Sequence, residues 1–249
     1  MLKKESRIYT GSGVSQTPST KIYERSYTIM QLTDALRKRF LSVDPATVGH
    51  YINGGFMHPE MKPVRRDDMR MIGPAYTVRI SGRDSCALYY GIKHAPKGSV
   101  IVVDRCGDQT FACCGEMVAT YAQGRGMAGI VIDGPATDSR AIEKMEIPVF
   151  CTGISSVTTM IYGATGEVQV PVVCCGAHVN PGDLVFGDAD GVVVLPADGY
   201  EEALKKAEES VAREISLRKH FLNGGDPLWN VDRLFSVGLA ETIAELKKL

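Results

Sequence analysis

The spacing of apolar positions along this chain changes near Gly153. Ahead of it, stretches with helical periodicity alternate with short continuous apolar runs. Leu32, Ala35, Leu36, Arg39 and Phe40 keep the i, i+3, i+4 rhythm that predicts a helix over 28–40. Residues 42–49 read as a cap and a second short helix, with Asp44 before Pro45 at its first turn. Residues 53–68 are irregular, mixing Gly, Pro and charges. The run 71–81 predicts a strand, with alternation from Ala75 to Ile80. Helical patterning returns over 85–94, and Val100 to Val103 form an apolar run that predicts a strand buried on both faces. A helix over 116–124, a strand over 129–133, a short helix over 139–145 and a strand over 147–153 complete this half.

Beyond Gly153 the segments EVQVPVVCCG, NPGDLVFGDADG and VVVLP predict short strands separated by Gly, Pro, Asn and Asp. A helix over 197–218 follows, with Asp198 as its N-cap and Leu204, Ala207, Val211 and Ile215 as its apolar stripe. The closing run VGLAETIAELKKL predicts one more helical stretch. The mixture predicts an α/β fold with a β-rich second layer sharing one core. Its organisation reads as a polar N-terminal arm over 1–27, an α/β domain over 28–222 and a C-terminal helical tail over 223–249.

Composition narrows the function. An apolar content of 44% in 249 residues is enough for a sizeable core. A net charge of -1 supplies no field that would favour nucleic acid or an anionic membrane, so neither is expected as a partner. The longest apolar runs are strand-sized, too short to span a bilayer. The start, MLKKESRIYTGSGVSQTPS, has basic residues but no apolar core of a secretory signal, which points to a cytoplasmic protein. Seven Cys include two adjacent pairs, Cys113-Cys114 and Cys174-Cys175, and no CxxC; they read as small buried hydrophobes in a reducing compartment.

Gly124, Gly126 and Gly129 spell G-x-G-x-x-G, but they follow a predicted helix and precede a strand. Dinucleotide binding needs the opposite order, so these glycines read as a helix C-cap and a tight return. The five His show no metal-binding spacing, and no G-x-S-x-G nucleophile turn occurs. The chemistry concentrates in CGEMVATYAQGRGMAGIVIDGPATD, from Cys114 to Asp138. Glu116 opens a helix; a strand then leads through a Gly-Pro turn to Asp138. Two carboxylates on consecutive loops can converge on one point, and magnesium favours such oxygen donors while keeping several waters. Each also has a local use: Glu116 suits the helix dipole, and Asp138 can cap the next helix. The backbone N–H groups of Gly115, Glu116, Met117 and Val118 start that helix and suit a substrate carboxylate.

The runs GPAYTVRISGRDS, KGSVIVVD, GEMVATYAQGRGMAGIVIDGPATD, IPVFCTG and NPGDLVFGDADGVVVLP together resemble the family of the regulator of ribonuclease activity A and the 4-hydroxy-4-methyl-2-oxoglutarate aldolases, from about Leu32 to Arg218. The resemblance implies a layered β/β/α swivelling-domain fold. It implies assembly as a homotrimer or dimer of trimers, with clefts between subunits. It implies class II aldolase chemistry with Mg2+ or Mn2+ on a small 2-oxo acid. The family motif is an acidic residue, twenty intervening residues, then Arg-Asp; here Glu116 and Asp138 keep that spacing, while Thr137 stands at the Arg position. The acidic residue many members carry three after the Asp is Ala141 here.

By this resemblance Asp138 is the principal metal ligand, Glu116 holds metal-bound water, and Thr137 hydrogen-bonds substrate or water. Arg140 is the first candidate to replace the missing cation, with Arg105 and Arg83 behind it. Asp84, in GRDS, stands where many members have Gly-Asp-Asn, and also reads as a turn-forming Asp. Glu214 is a candidate for the acid that an adjacent subunit contributes. Two functions follow: a metal-dependent aldolase or decarboxylase acting on a substrate such as 4-hydroxy-4-methyl-2-oxoglutarate or oxaloacetate, or a non-catalytic regulator that binds a ribonuclease. Retention of both carboxylates favours the first; Thr137 and Ala141 favour the second.

Overall fold

The structure, a computed structural model, describes residues 23–24, 29, 31–65, 69–163 and 165–227. The predicted tail helix and most of the N-terminal arm lie outside them. The chain divides into a unit ending at Ala207 and a second beginning at Glu208.

The first described element is β1 (Tyr23–Glu24), a short strand that falls within the arm. Helix α1 (Asp34–Leu41) begins later than its periodicity predicts. The reason is Thr33: its backbone is extended, and its hydroxyl accepts the Leu36 N–H at 3.2 Å, which fixes the N-cap there. Helix α2 (Pro45–Gly49) follows Asp44, whose carboxylate pairs with Arg70 rather than capping. The next elements are β2 (Lys62–Pro63), β3 (Met71–Arg79), α3 (Cys86–His94), β4 (Val100–Asp104), α4 (Glu116–Gly124), β5 (Gly129–Ala136), α5 (Ser139–Ile142) and β6 (Val149–Ile154). Helix α5 is shorter than the 139–145 predicted. Short strands complete the layer: β7 (Glu167–Val168), β8 (Val172–Cys174), β9 (Ala177–Val179), β10 (Leu184–Asp188) and β11 (Gly191–Leu195).

The main sheet runs β1-β7-β3-β4-β5-β6-β2. Strands β3, β4, β5 and β6 are mutually parallel, with Ala75 opposite Val100 and Val100 opposite Gly129. The antiparallel pair β10–β11 joins through β10 to the first half of β3, and β7 borders the end of β3. Strands β8 and β9 form a separate ribbon. This is an α/β fold with helices on one side of the parallel strands and β-structure on the other.

Alternate residues of each central strand feed two cores. Val78, Ile101, Val103, Ile130 and Ile132 pack with Leu88 and Ile92 of α3 and Ala119 and Ala122 of α4. Ala75, Val100, Val102 and Val131 pack with Val172, Cys174, Val179, Val185, Val192 and Val194. Covering both faces removes the alternation expected in β3, which is buried from Met71 through Val78. Of the seven Cys, all free, five are buried; Cys106 is exposed in a left-handed turn and Cys86 is half-buried. No helix among the described residues is long and apolar enough to cross a membrane.

Helix α6 (Tyr200–Leu222) begins at Tyr200, so Asp198 is not its N-cap. Leu204 and Ala207 of the predicted stripe are buried, Val211 is half-buried, and Ile215 is 65% exposed. Burial along the stripe therefore falls off from Leu204 to Ile215.

Truncating the stripe therefore has position-dependent effects. Leu204→Ala lowers the unfolding free energy by about 3 kcal/mol, and Ile215→Ala changes it by less than about 0.5 kcal/mol, as read from urea denaturation midpoints. Alkaline pH provides a second check. Burial pushes the Cys113 thiol from the ordinary 9.0 up to about 11. The folded state favours the neutral thiol, so this contribution is intact below pH 9 and is lost as pH rises from 9 through about 11. Stability falls across that interval, and Cys113→Ala shallows the fall measured by denaturation at stepped pH.

Candidate functional site

Strand β5 outruns its neighbour β4. The two are in register from Val100–Gly129 to Asp104–Asp133, and β5 then continues to Ala136. A register shift after Ile132 realigns it with the end of β6, placing Pro135 opposite Gly153 and Ala136 opposite Ile154. On the other side Ala136 bridges to Cys114 in parallel. Cys114, Ala136 and Ile154 thus form a row, and three chain segments leave it side by side. The next residues are Gly115, Thr137 and Ser155; then come Glu116, Asp138 and Ser156. Thr137 N–H donates to the Cys114 carbonyl at 2.9 Å, and Ser155 N–H to the Ala136 carbonyl at 2.9 Å.

At the end of this row the chain turns sharply at Asp138, which is left-handed with φ 53° and ψ 37°. Asp tolerates that conformation better than most residues. The turn aims the Asp138 carboxylate back at α4: Oδ2 accepts the Glu116 backbone N–H at 3.0 Å. Asp138 occupies the N-cap position of α5 but makes no side-chain cap there. It caps α4 instead, where Gly115 offers no side chain. Gly115 is required by space: a Cβ there would lie 2.4 Å from Asp138 Oδ2 and 2.7 Å from Thr137 Cγ2.

Glu116, Thr137, Asp138, Ser139, Arg140, Ala141, Ile154, Ser155 and Ser156 line an open depression of about 450 Å³. Glu116 and Arg140 are exposed, and neither has an ion-pair partner among the described residues. The structure thus brings together Glu116, Thr137, Asp138 and Arg140. Of the four backbone groups expected to hold a substrate carboxylate, the Glu116 N–H is already taken by Asp138. Those of Met117 and Val118 remain in the first turn, ahead of the first intrahelical bond, from Ala119 to Gly115. The Met117 side chain is 72% exposed and that of Val118 is buried.

Other candidates lie elsewhere. The Arg105 side chain is fully buried, donating to the Gly82 and Phe111 carbonyls and to Asp108 Oδ2 at 2.8, 3.3 and 2.9 Å. It holds loops together and does not reach the depression. Arg83 donates to the Thr158 carbonyl at 3.2 Å and lies 5.0 Å from the Phe111 ring centre. Asp84 is buried and accepts backbone N–H groups of Cys86, Tyr162 and Thr165 at 3.0, 3.1 and 3.2 Å; the first is a bond within its own turn, and the other two fasten that turn to a distant segment. Glu214, on α6, accepts the Ser210 hydroxyl at 3.4 Å. No His lines the depression. Gly124 is the last residue of α4, its C-cap is Arg125 rather than a glycine, and Gly126 makes the expected tight return at φ +75°.

Behind the row, burial pushes the Cys114 thiol well above its usual range, with Cys113, Cys151 and Asp138 adding to the effect. It stays protonated near neutral pH and is no thiolate nucleophile. The donor set is all oxygen and fits a hard cation held by one or two carboxylates and water. Among the described residues no group of three or more His, Cys, Asp or Glu gathers to form a complete protein cage. Sequence reasoning missed Ser139, Ile154, Ser155 and Ser156. The available signal was the parallel order of the strands, whose carboxyl ends converge on one edge.

The family profile described as RraA-like, Aldolase/RraA, matches residues 31–194. A Halalkalibacterium halodurans protein named "Putative 4-hydroxy-4-methyl-2-oxoglutarate aldolase" is 39% identical over 152 residues, covering 61% of this chain and 71% of that protein. Among solved structures, Streptomyces coelicolor RraAS2, described as an unusual member of the RNase ES inhibitor RraA protein family, superposes with a TM-score of 0.66. It is 26% identical, covering 76% of this chain and 98% of its own. The RNA-processing inhibitor RraA from Thermus thermophilis gives a TM-score of 0.55 at 26% identity, covering 61% of this chain and 90% of its own.

The tight approach at Gly115 can be tested directly. In Gly115→Ala the new Cβ displaces the Asp138 carboxylate, and the Glu116 amide loses its acceptor. Stability drops by about 1–2 kcal/mol, and hydrogen exchange at the Glu116 amide, followed by NMR, accelerates by about tenfold or more.

Proposed function

The chain belongs to the RraA-like, Aldolase/RraA family, and from that premise we propose that it is a divalent-metal-dependent carbon–carbon lyase acting on a small 2-oxo acid. The observation that carries this reading is the Glu116 N–H to Asp138 Oδ2 contact, which sets two carboxylates on the wall of one open depression. The aldolase name of the relative from Halalkalibacterium halodurans supports it at the level of the family.

Asp138 and Glu116 are the residues to hold Mg2+ or Mn2+, which when bound supplies Lewis acidity to the 2-oxo group. The Met117 and Val118 amides at the start of α4 bind the substrate carboxylate. Thr137 donates its hydroxyl to substrate or water. In retro-aldol cleavage the C3–C4 bond breaks and its electron pair passes to the 2-oxo oxygen as an enolate. The C4 hydroxyl loses its proton and becomes a carbonyl. Glu116 receives that proton through water, and C3 is then protonated to give pyruvate. Decarboxylation of oxaloacetate leaves the same enolate.

Arg140 stands two residues beyond Asp138 on the lining and supplies positive charge in place of the Arg that Thr137 replaces. Removing such an electrostatic donor commonly costs about 10²–10³ in rate. The exposed apolar side chains Ile154, Val157, Met160, Ile161 and Tyr162 support assembly with further copies of this chain, as a homotrimer or dimer of trimers, which would close the open side of the depression. The likeness to RraAS2 and the change at Thr137 support a second reading, a regulator that binds a partner protein without catalysis.

Purified protein is incubated with Mg2+ and a panel of 4-hydroxy-2-oxo acids and oxaloacetate, with released pyruvate coupled to lactate dehydrogenase. Metal-dependent turnover is expected. Asp138→Ala abolishes it together with Mn2+ binding followed by electron paramagnetic resonance, and Arg140→Ala lowers kcat/KM by about 10²–10³. Absence of both turnover and metal binding in the wild-type protein rejects the lyase and leaves the regulator.

A further inference from the structure

A second, smaller cavity of about 150 Å³ shares no residue with the depression. Pro74 of β3, the turn 96–98 that feeds β4 at its amino end, and Arg37 of α1 all line it. The depression lies instead beyond the carboxyl ends of the parallel strands.

Two cations stand on this lining, Arg37 and Lys97. Arg37 Nη1 donates to the Ile72 carbonyl at 2.9 Å, which fixes the guanidinium. Its Nε and Nη2 have no partner among the described residues. A Cβ at Gly98 would lie 3.3 Å from Nη2, so the glycine leaves that nitrogen uncrowded. Lys97 is exposed, and its Cγ lies 3.4 Å from where a Cβ of Gly126 would be. Its stem therefore rests on the tight return after α4. Among the described residues no Asp or Glu lines the cavity, and neither cation forms an ion pair. Two like charges without a counter-charge repel each other, and an anion between them reverses the sign of the interaction.

We infer that this cavity binds a small monocarboxylate with a short apolar body. Nε and Nη2 lie along one edge of the guanidinium and offer the paired donors that hold a carboxylate bidentately. Lys97 adds a point charge beside them. Ile29, Leu32, Pro74 and Pro96 supply apolar wall, which suits a hydrocarbon body and offers nothing to the outer oxygens of a phosphate. A cavity of this volume holds a molecule the size of benzene, so the ligand has about six non-hydrogen atoms. The assignment uses no residue of the lyase reading and stands apart from it.

The test uses the full chain with labelled Ile and Leu methyl groups, followed by methyl NMR. The probe is 2-methylpropanoate, which has the expected size and no 2-oxo group to chelate a metal at Asp138. Saturable shifts of the Ile29 and Leu32 methyls are expected at about millimolar concentration, with the Ile154 methyls at the depression unmoved. The neutral isostere 2-methylpropanamide binds about tenfold more weakly or worse. Lys97→Gln, which removes no hydrogen bond seen among the described residues, weakens the carboxylate by about threefold. Arg37→Lys keeps the charge, loses the paired donors and weakens it by about tenfold. Remote methyls that keep their positions show that each variant is folded. Absence of binding, equal binding of the amide, tighter binding of inorganic phosphate, or shifts at Ile154 without shifts at Ile29 overturns the proposal. Unchanged affinity in both variants also overturns it. A charge-dependent response at Ile29 in protein that shows no lyase turnover supports this site and rejects the lyase alone.

Discussion

The site depends on one close approach. The backbone of Gly115 passes the Asp138 carboxylate so tightly that no Cβ fits between them, and the following N–H is spent on Asp138 Oδ2. That hydrogen bond lets the two carboxylate-bearing turns share one edge. It also gives α4 the N-terminal acceptor its own N-cap residue lacks. A carboxylate at a helix N-terminus is electrostatically favourable, so the arrangement needs no compensating strain beyond the left-handed Asp138 itself. The constraint is mutual, since moving either turn uncaps the helix and separates the acids.

The sheet explains why those turns meet at all. Four parallel strands, covered by helices on one side and β-structure on the other, direct their carboxyl ends to the same edge. Strand β5 extends past β4 and is realigned by its register shift to lie between Cys114 and Ile154. The stable part of the molecule therefore ends in a row of backbone pairs. The candidate site residues are the first ones beyond that row, where they line the depression. Buried Arg105 contributes by tying the neighbouring loops through their carbonyls.

Much of the element order could be read from periodicity. Helix α4 falls on the predicted residues because Glu116 opens it and Gly124 and Gly126 close it, signals that act within a few residues. Strand β4 was legible because its continuous apolar run matches burial on both faces. The alternation expected in β3 failed, since the second covering layer comes from residues more than a hundred positions later. The full apolar stripe of α6 failed for a related reason: periodicity marks a face, and it does not say how far that face is covered. Thr33 makes α1 start later than the rhythm of Leu32 suggested, because a single cap outweighs one more apolar residue.

The sequence by itself determined which side chains are candidates for the proposed chemistry: two carboxylates at the spacing of the resembling family, a hydroxyl at the position of its arginine, and an arginine two residues beyond Asp138. These are covalent facts of order and distance along the chain, and local rules suffice to place them at turns. Only the tertiary structure decided that Arg140 and not Arg105 faces the depression, that Asp84 ties its turn to the segment around Tyr162 and Thr165, and that Ser155 and Ser156 join the lining. Those outcomes hang on strand register and on a non-local hydrogen bond between residues 116 and 138. No pattern within either segment encodes the partner that packs against it.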